Sequence, residues 1–309
     1  MRPFRPASRR SAPTPAPPTL APRSFTPWPR ADVALALGGG GVRGAAHFLV
    51  IEALDELGLT VGPIAGSSIG AIIGAMHAAG MSGRDIREHL VAVAGHPGRF
   101  ARRLIGSRAI QLAGMATMDR SGWSPVDSRQ LLAEFLPPDL PERIEDLPLS
   151  MTILATDIIA GNSLVLTSGD LGQALAASAA MPGLMRPVRH AGTVLIDGAV
   201  LEPVPVGPLA RSGLPIVAVD LSGIALPLAQ ARAVPSAIAT ATLSLQMQAR
   251  CIAARRLEET PPAVLIQPAL GAIRPPDFHR APQILASLAG FKDEAKRQIE
   301  AGLETYRHG

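Results

Sequence analysis

Lysine is nearly missing from this chain: among 309 residues only Lys292 and Lys296 occur. A phosphate-cradling P-loop needs a lysine inside a G-x-x-x-x-G-K-[ST] pattern, and no such pattern is present, which excludes that class of nucleotide site. Cysteine is limited to Cys251, so no internal disulfide can form and the chain suits a reducing compartment, with a cytoplasmic location expected. Cys251 falls in the helix-like stretch 236–257, where packing is a simpler role for it than nucleophilic attack. Aromatic residues make up only 3% of the chain, and no stacking set accompanies its basic residues, which argues against nucleic acid as a partner. No Cys-His spacing and no clustered carboxylates suggest a metal, so neither a metal nor any other cofactor is expected.

Charge is absent from Leu57 to Gly83, and Gly66, Gly70 and Gly74 recur every fourth residue, as in a close-packed membrane helix. Pro63 and the glycines beside it interrupt the first third, leaving about 16 residues where a span needs about 20. A helix buried under a sheet has the same composition and is the expected reading. Acids are missing from the first 30 residues, which hold six arginines and nine prolines. Setting those arginines aside turns the chain's net charge of +4 into −2, so basicity belongs to the tail. Residues 1–30 are expected to be a disordered tail with polyproline character, and 31–309 a single domain, since no linker-like stretch divides them. Ser8-Arg9-Arg10 has the start of a twin-arginine signal, but no apolar core follows it, so cleavable export is not expected.

What is present is a pair of glycine-rich turns, Gly39-Gly40-Gly41-Val42-Arg43-Gly44 and Gly66-Ser67-Ser68-Ile69-Gly70. The first follows the apolar run Val33–Leu37 and precedes a helical stretch, 45–57; the second follows Val61–Ala65 and opens a charge-free stretch, 69–79. Both therefore join a strand to a helix. The first turn offers backbone N–H groups that no Cβ obstructs, and the second places Ser68 at a helix N-terminus, where developing negative charge is favoured. Ser68 as a simple helix cap would explain only one of the two turns. A third run, Val194-Leu195-Ile196, delivers Asp197-Gly198-Ala199 at a strand end, the edge where ligands bind in doubly wound sheets. Together these pieces point to acyl chemistry.

The three pieces resemble the patatin-like phospholipase family, of the bacterial type, whose pattern is a G-G-G-x-R-G loop, a G-x-S-x-G elbow and a D-G-[AG] aspartate. The segment Ala177-Ser178-Ala179-Ala180-Met181-Pro182 is similar to the family's A-S-x-x-x-P, and the likeness extends over roughly residues 32–304. It implies an α/β fold, a three-layer α/β/α sandwich with a mostly parallel central sheet. It also implies a serine lipid acyl hydrolase in which Ser68 is the nucleophile and Asp197 the general base, without a histidine. Amides of Gly39, Gly40 and Gly41, chiefly the last two, would form the oxyanion hole. Supporting positions are Arg43, Gly44, Gly66, Gly70 and Gly198, with Arg43 either lending charge or bridging the loop. One departure is Glu202, in Glu202-Pro203-Val204, where the family carries asparagine.

Rival constellations are weaker. A Ser-His-Asp triad would use His279, but only its late position favours it. Asp157, at the end of Met151–Ala155 and the residues after it, is the reserve base. Gly39-x-Gly41-x-x-Gly44 fits a dinucleotide fingerprint, yet the second strand ends in Gly66-Ser67-Ser68 with no acid for a ribose. The expected partner is a lipid or acyl-ester substrate, whose acyl channel Leu, Ile, Val and Met would line. Peripheral contact with an anionic membrane stays open, through the tail or through the stretch from Arg84 to Leu136, basic and apolar over Arg99 to Arg108, which reads as a lid, a lipid-facing surface or an ordinary solvated helix. Acyl transfer on the same dyad, and a catalytically weak protein that binds membrane surfaces, also stay open.

Overall fold

The computed structural model describes residues 31–94, 127–133, 135–223, 237–270 and 281–308. The tail, the Arg99–Arg108 stretch and His279 lie outside the described residues. Among the described residues eight strands form one sheet: β1 (Val33–Leu37), β2 (Val61–Ser67), β3 (Met151–Asp157), β4 (Asn162–Leu166), β5 (Val188–His190), β6 (Thr193–Asp197), β7 (Ile216–Val219) and β8 (Val264–Ile266). Their order is β5-β6-β3-β2-β1-β7-β8, with β4 paired to β3. From β3 to β8 the pairing is parallel, as the unbroken apolar runs of these strands require when both faces are covered. At the other end β4 and β6 run antiparallel to β3, and β5 antiparallel to β6, so the sheet is mixed.

The helices are α1 (Ala45–Glu56), α2 (Ile69–Ala78), α3 (Gly83–Ala94), α4 (Ser128–Leu132), α5 (Leu171–Ser178), α6 (Ala237–Glu259), α7 (Ala281–Ser287) and α8 (Phe291–His308). Strand β1 shows how they are layered. Its Val33, Leu35 and Leu37 join the large core beneath α1, α2, α3 and α8, while Ala34 and Ala36 turn to a smaller core. That second core contains Val204, Val206, Leu209 and Ala253 of α6. The period-two alternation thus puts bulk on one face and alanine on the other, where the 203–209 segment lies close to the sheet. The result is the expected three-layer sandwich.

Helix α1 is buried almost all round, from Ala46 to Leu54, because α3 and α8 cover the side that faces away from the sheet. Helix α2 accounts for the charge-free stretch. It packs on β2, and Gly70 comes so near β1 that a Cβ there would lie 2.1 Å from the Leu37 carbonyl oxygen. No helix among the described residues is long and apolar enough to cross a membrane.

Candidate active site

Strand register brings the serine and the aspartate together. Ile153 and Leu154 of β3 pair with both β2 and β4, and Ala155 to Asp157 pair with both β4 and β6. A strand has two edges, so β2 and β6 share one of them end to end. Ser67 lies opposite Leu154 and Asp197 opposite the next residue, Ala155. Two chain segments far apart in sequence therefore terminate head to head on neighbouring residues of one strand.

At this junction Ser68 adopts φ 55° and ψ −124°, a left-handed backbone that a non-glycine residue holds only at a cost of about 1–3 kcal/mol. The turn is sharp, and α2 begins at the next residue. The Ser68 hydroxyl does not cap that helix. It donates to Asp197 Oδ2 at 2.8 Å. Both residues are nearly sealed from water, with exposures of 5% and 4%. Burial raises the Asp197 carboxyl to about 6, against the opposing pull of the Ala199 N–H and the Ser68 hydroxyl.

Asp197 is pinned on every side. Its Oδ1 accepts from Ala199 N at 2.8 Å, its own N–H donates to Ala180 O at 3.0 Å, and its carbonyl accepts from Thr156 Oγ1 at 2.9 Å. Gly198 is obligatory, because a Cβ there would lie 2.1 Å from the Leu154 carbonyl oxygen. The Ala177–Pro182 segment holds the other partner too: Ser178 Oγ accepts the Ser68 N–H at 2.9 Å. Gly66 completes the elbow, where a Cβ would run into Ala71 of α2 at 2.6 Å.

The first glycine turn passes close to Ser68. A Cβ on Gly39 would sit 3.3 Å from that of Ser68 and collide with Ala199, and one on Gly44 would collide with Ile69. Gly39 departs from expectation, since its N–H donates to Pro203 O at 3.0 Å and is not free for an oxyanion. The N–H groups of Gly40 and Gly41 have no partner among the described residues. Gly41 takes φ 57°, which suits a glycine.

Arg43 acts as the bridge. It is buried, and it reaches Gly40 O through its backbone N–H at 3.2 Å and Nε at 3.4 Å, and Gly223 O through Nη1 at 2.7 Å. The N–H and C=O of a trans peptide point oppositely, so anchoring the Gly40 carbonyl turns the Gly41 N–H the other way. Burial lowers the guanidinium to about 10, with Asp220 opposing, which leaves it charged at neutral pH.

Two supports carried no assigned role in the sequence. His47, fully buried in the first turn of α1, lies 2.7 Å from Gly38 O through Nε2. Burial holds it down to about 4, so the ring is neutral and Nε2 carries the proton given to that carbonyl. The signal was a lone polar residue within the apolar first half of that helix, 45–51. Glu202, the departure from the family's asparagine, accepts the Ser67 hydroxyl on its carbonyl at 2.5 Å, while its side chain binds Arg256 of α6 at 2.8 Å.

Asp157, the reserve base, is committed elsewhere. Its Oδ1 accepts from Ile159 N, Ala160 N and Thr193 Oγ1, and these bonds hold its carboxyl below the usual range, the Thr193 hydroxyl most strongly. Cys251 is exposed on α6 and so is not a packing residue. No group of three His, Cys, Asp or Glu residues among the described residues could hold a metal.

A serine on a strand-to-helix elbow, bonded to a buried aspartate beneath a glycine turn, defines an α/β protein of the serine-elbow class. Residues 35–210, which contain all of these parts, match the family model described as patatin-like phospholipase. An uncharacterised NTE family protein of Mycobacterium tuberculosis is 38% identical over 193 residues, or 62% of this chain and 49% of that protein. The chain thus spans about half the length of that relative. Lysophospholipase NTE1 of Yarrowia lipolytica is 31% identical over 196 residues, covering 62% of this chain and 13% of that protein. Among solved structures, VipD from Legionella pneumophila aligns with a TM-score of 0.44 at 15% identity, covering 90% of this chain and 67% of VipD. The chain belongs to the patatin-like phospholipase family.

Proposed function

We propose that the chain hydrolyses acyl esters of lipids through a Ser68 acyl-enzyme. The observation that carries this is the 2.8 Å bond from the hydroxyl of the strained Ser68 to the Asp197 carboxylate. Ser68 Oγ attacks the ester carbonyl carbon while its proton passes to Asp197 Oδ2. The carbonyl oxygen becomes an oxyanion, held by the N–H groups of Gly40 and Gly41. Collapse of this intermediate breaks the bond to the leaving alcohol, which takes the proton from Asp197. In the second half Asp197 removes a proton from water, the hydroxide adds to the acyl-enzyme, and Ser68 leaves with its proton restored. No histidine takes part in either half.

Burial is what makes an aspartate adequate as the base. An ordinary carboxylate is too weak to take a serine proton efficiently, and lifting it to about 6 brings it near working pH while leaving it ionised at pH 7. The relative named a lysophospholipase makes lysophospholipids the first substrates to test. The experiment is product analysis by mass spectrometry over phospholipids, lysophospholipids, triacylglycerol and short esters, with Ser68→Ala as the blank. Free fatty acid above that blank is expected. Acyl groups appearing only on an added alcohol or lysolipid acceptor would replace hydrolysis by acyl transfer, and no product at all would leave a binding protein.

A further inference from the structure

We infer that the two hairpin tips standing above the dyad form a rim that docks on an anionic lipid surface; this rests on the reading of the substrate as a lipid. The strand register gives the geometry. Asp197 lies opposite Ala155, whereas Asp157 at the end of β3 lies opposite Leu195, and β6 starts at Thr193. At about 3.3 Å per residue, the end of β3 stands about 7 Å beyond the level of Asp197, and the start of β6 about 13 Å beyond it. The tips joining β3 to β4 and β5 to β6 therefore both project from the C-terminal edge of the sheet, the edge on which β2 delivers Ser68.

The first tip presents Ile158 and Ile159, 44% and 72% exposed, followed by Ala160 and Gly161. The second presents Ala191 and Gly192, both exposed. Isolated exposed apolar residues need no explanation, but these two are adjacent and their backbone is held in place. The buried Asp157 carboxylate accepts the N–H groups of Ile159 and Ala160 and also the hydroxyl of Thr193 on the other hairpin. Ile158 N donates to Val194 O at 3.1 Å, again across to the second hairpin. One carboxylate thus ties both tips into a single ledge that keeps the isoleucines turned outward.

Charge selects the occupant. Residues 157–166 and 188–197 contain two carboxylates, Asp157 and Asp197, and both are buried. The exposed ionic side chain of these hairpins is Arg189, which lies opposite Val194 on one edge of β6 while Ile158 meets Val194 on the other, one strand away. An apolar tip with a cation one strand away, and no exposed acid in either hairpin, matches an anionic membrane interface, where isoleucine enters the acyl boundary and arginine meets the headgroups. Docked in this way, the C-terminal edge of the sheet and its Ser68–Asp197 pair face the bilayer.

The test uses the full chain and vesicles of phosphatidylcholine with or without phosphatidylglycerol. The double variant Ile158→Ser/Ile159→Ser is expected to sediment with the anionic vesicles about tenfold more weakly or worse. Its turnover of a dispersed short-chain ester and its melting temperature should be unchanged. Arg189→Gln should weaken binding at low salt and much less at high salt. Sedimentation of the double variant equal to the parent's overturns the rim, as does loss of a concentration-dependent dimer in that variant, which would assign the ledge to a second copy of the chain. The underlying reading fails separately: parent that binds vesicles through the rim yet releases no fatty acid from any lipid would keep the docking surface and remove the lipid hydrolase.

Discussion

Ser178 accepts the backbone N–H of Ser68 at 2.9 Å, and two residues further on the Ala180 carbonyl takes the N–H of Asp197 at 3.0 Å. One short segment at the end of α5 therefore clamps both Ser68 and Asp197 by their backbone N–H groups. It holds Ser68 where its backbone is strained, so the clamp resists relaxation of the elbow.

Ser178→Ala leaves the buried Ser68 N–H unsatisfied, a loss of about 1–3 kcal/mol that falls on the residue whose placement matters most. The expected result is a lower melting temperature together with kcat reduced about tenfold or more and KM unchanged. Ser178→Cys, whose sulfur is a weaker acceptor, should fall between alanine and the parent. Rates are to be normalised to the fraction of Ser68 that a fluorophosphonate labels. A merely structural Ser178 would lower the melting temperature and leave the normalised kcat intact.

Ser68→Ala and Asp197→Asn should each reduce ester hydrolysis on the order of 10^4-fold or more, and the double variant should be no worse, because the two side chains act as one unit. His279→Ala should change little. Loss of activity in His279→Ala with retention in Asp197→Asn would put a triad in place of the dyad. Chelator should leave turnover unaltered, and activity restored only by added calcium would contradict the metal-free mechanism.

Ionisation of Asp197 couples activity to stability with opposite signs. The native carboxyl is raised to about 6, so between about pH 4 and 6 the folded chain binds more protons than the unfolded one. The stabilisation is fully present below about 4 and is lost as pH rises through 6, just as the active carboxylate forms. Asp197→Asn keeps an uncharged group able to accept from Ala199 N and to bond Ser68. It should therefore melt higher than the parent at pH 8, by at most about 3 kcal/mol in stability, with the gain vanishing near pH 4. His47 has the reverse dependence, its pKa being lowered, but it is present in both proteins and cancels in the difference. Parent activity should fall about tenfold per unit below pH 6. A stability difference independent of pH would remove the raised carboxyl.

Much of this was legible in the sequence because local chemistry dictates it. The run 33–37 is a strand with those same limits, and the two glycine turns fall where strand meets helix. The head-to-head meeting of β2 and β6 was not legible, since register depends on which edge of β3 each strand takes and no short pattern encodes that. Nor was the occupation of Gly39: its amide is engaged by Pro203, a residue far along the chain that reaches the loop only because β1 carries alanine on that face. Asp157 and Asp197 both end apolar runs and look alike in sequence. They differ in what surrounds the carboxylate, amide and hydroxyl donors for the first and burial beside a serine hydroxyl for the second.

The arginine-rich tail gives the last prediction, because it and the rim should contribute to membrane binding by physically different routes. Six arginines without an acid attract an anionic bilayer by roughly 1 kcal/mol each at best, an effect that fades within a Debye length. Ile158 and Ile159 act by leaving water, which salt does not screen. Deleting residues 1–30 should therefore weaken sedimentation with anionic vesicles at low salt and make little difference at high salt, while turnover of a soluble short-chain ester stays the same. The isoleucine variant should weaken binding at both. Combining the two changes should give the sum of the separate effects in free energy, since the tail's contribution is electrostatic and the rim's apolar. Equal binding by the full-length and truncated chains at low salt would show the tail to be a passive extension.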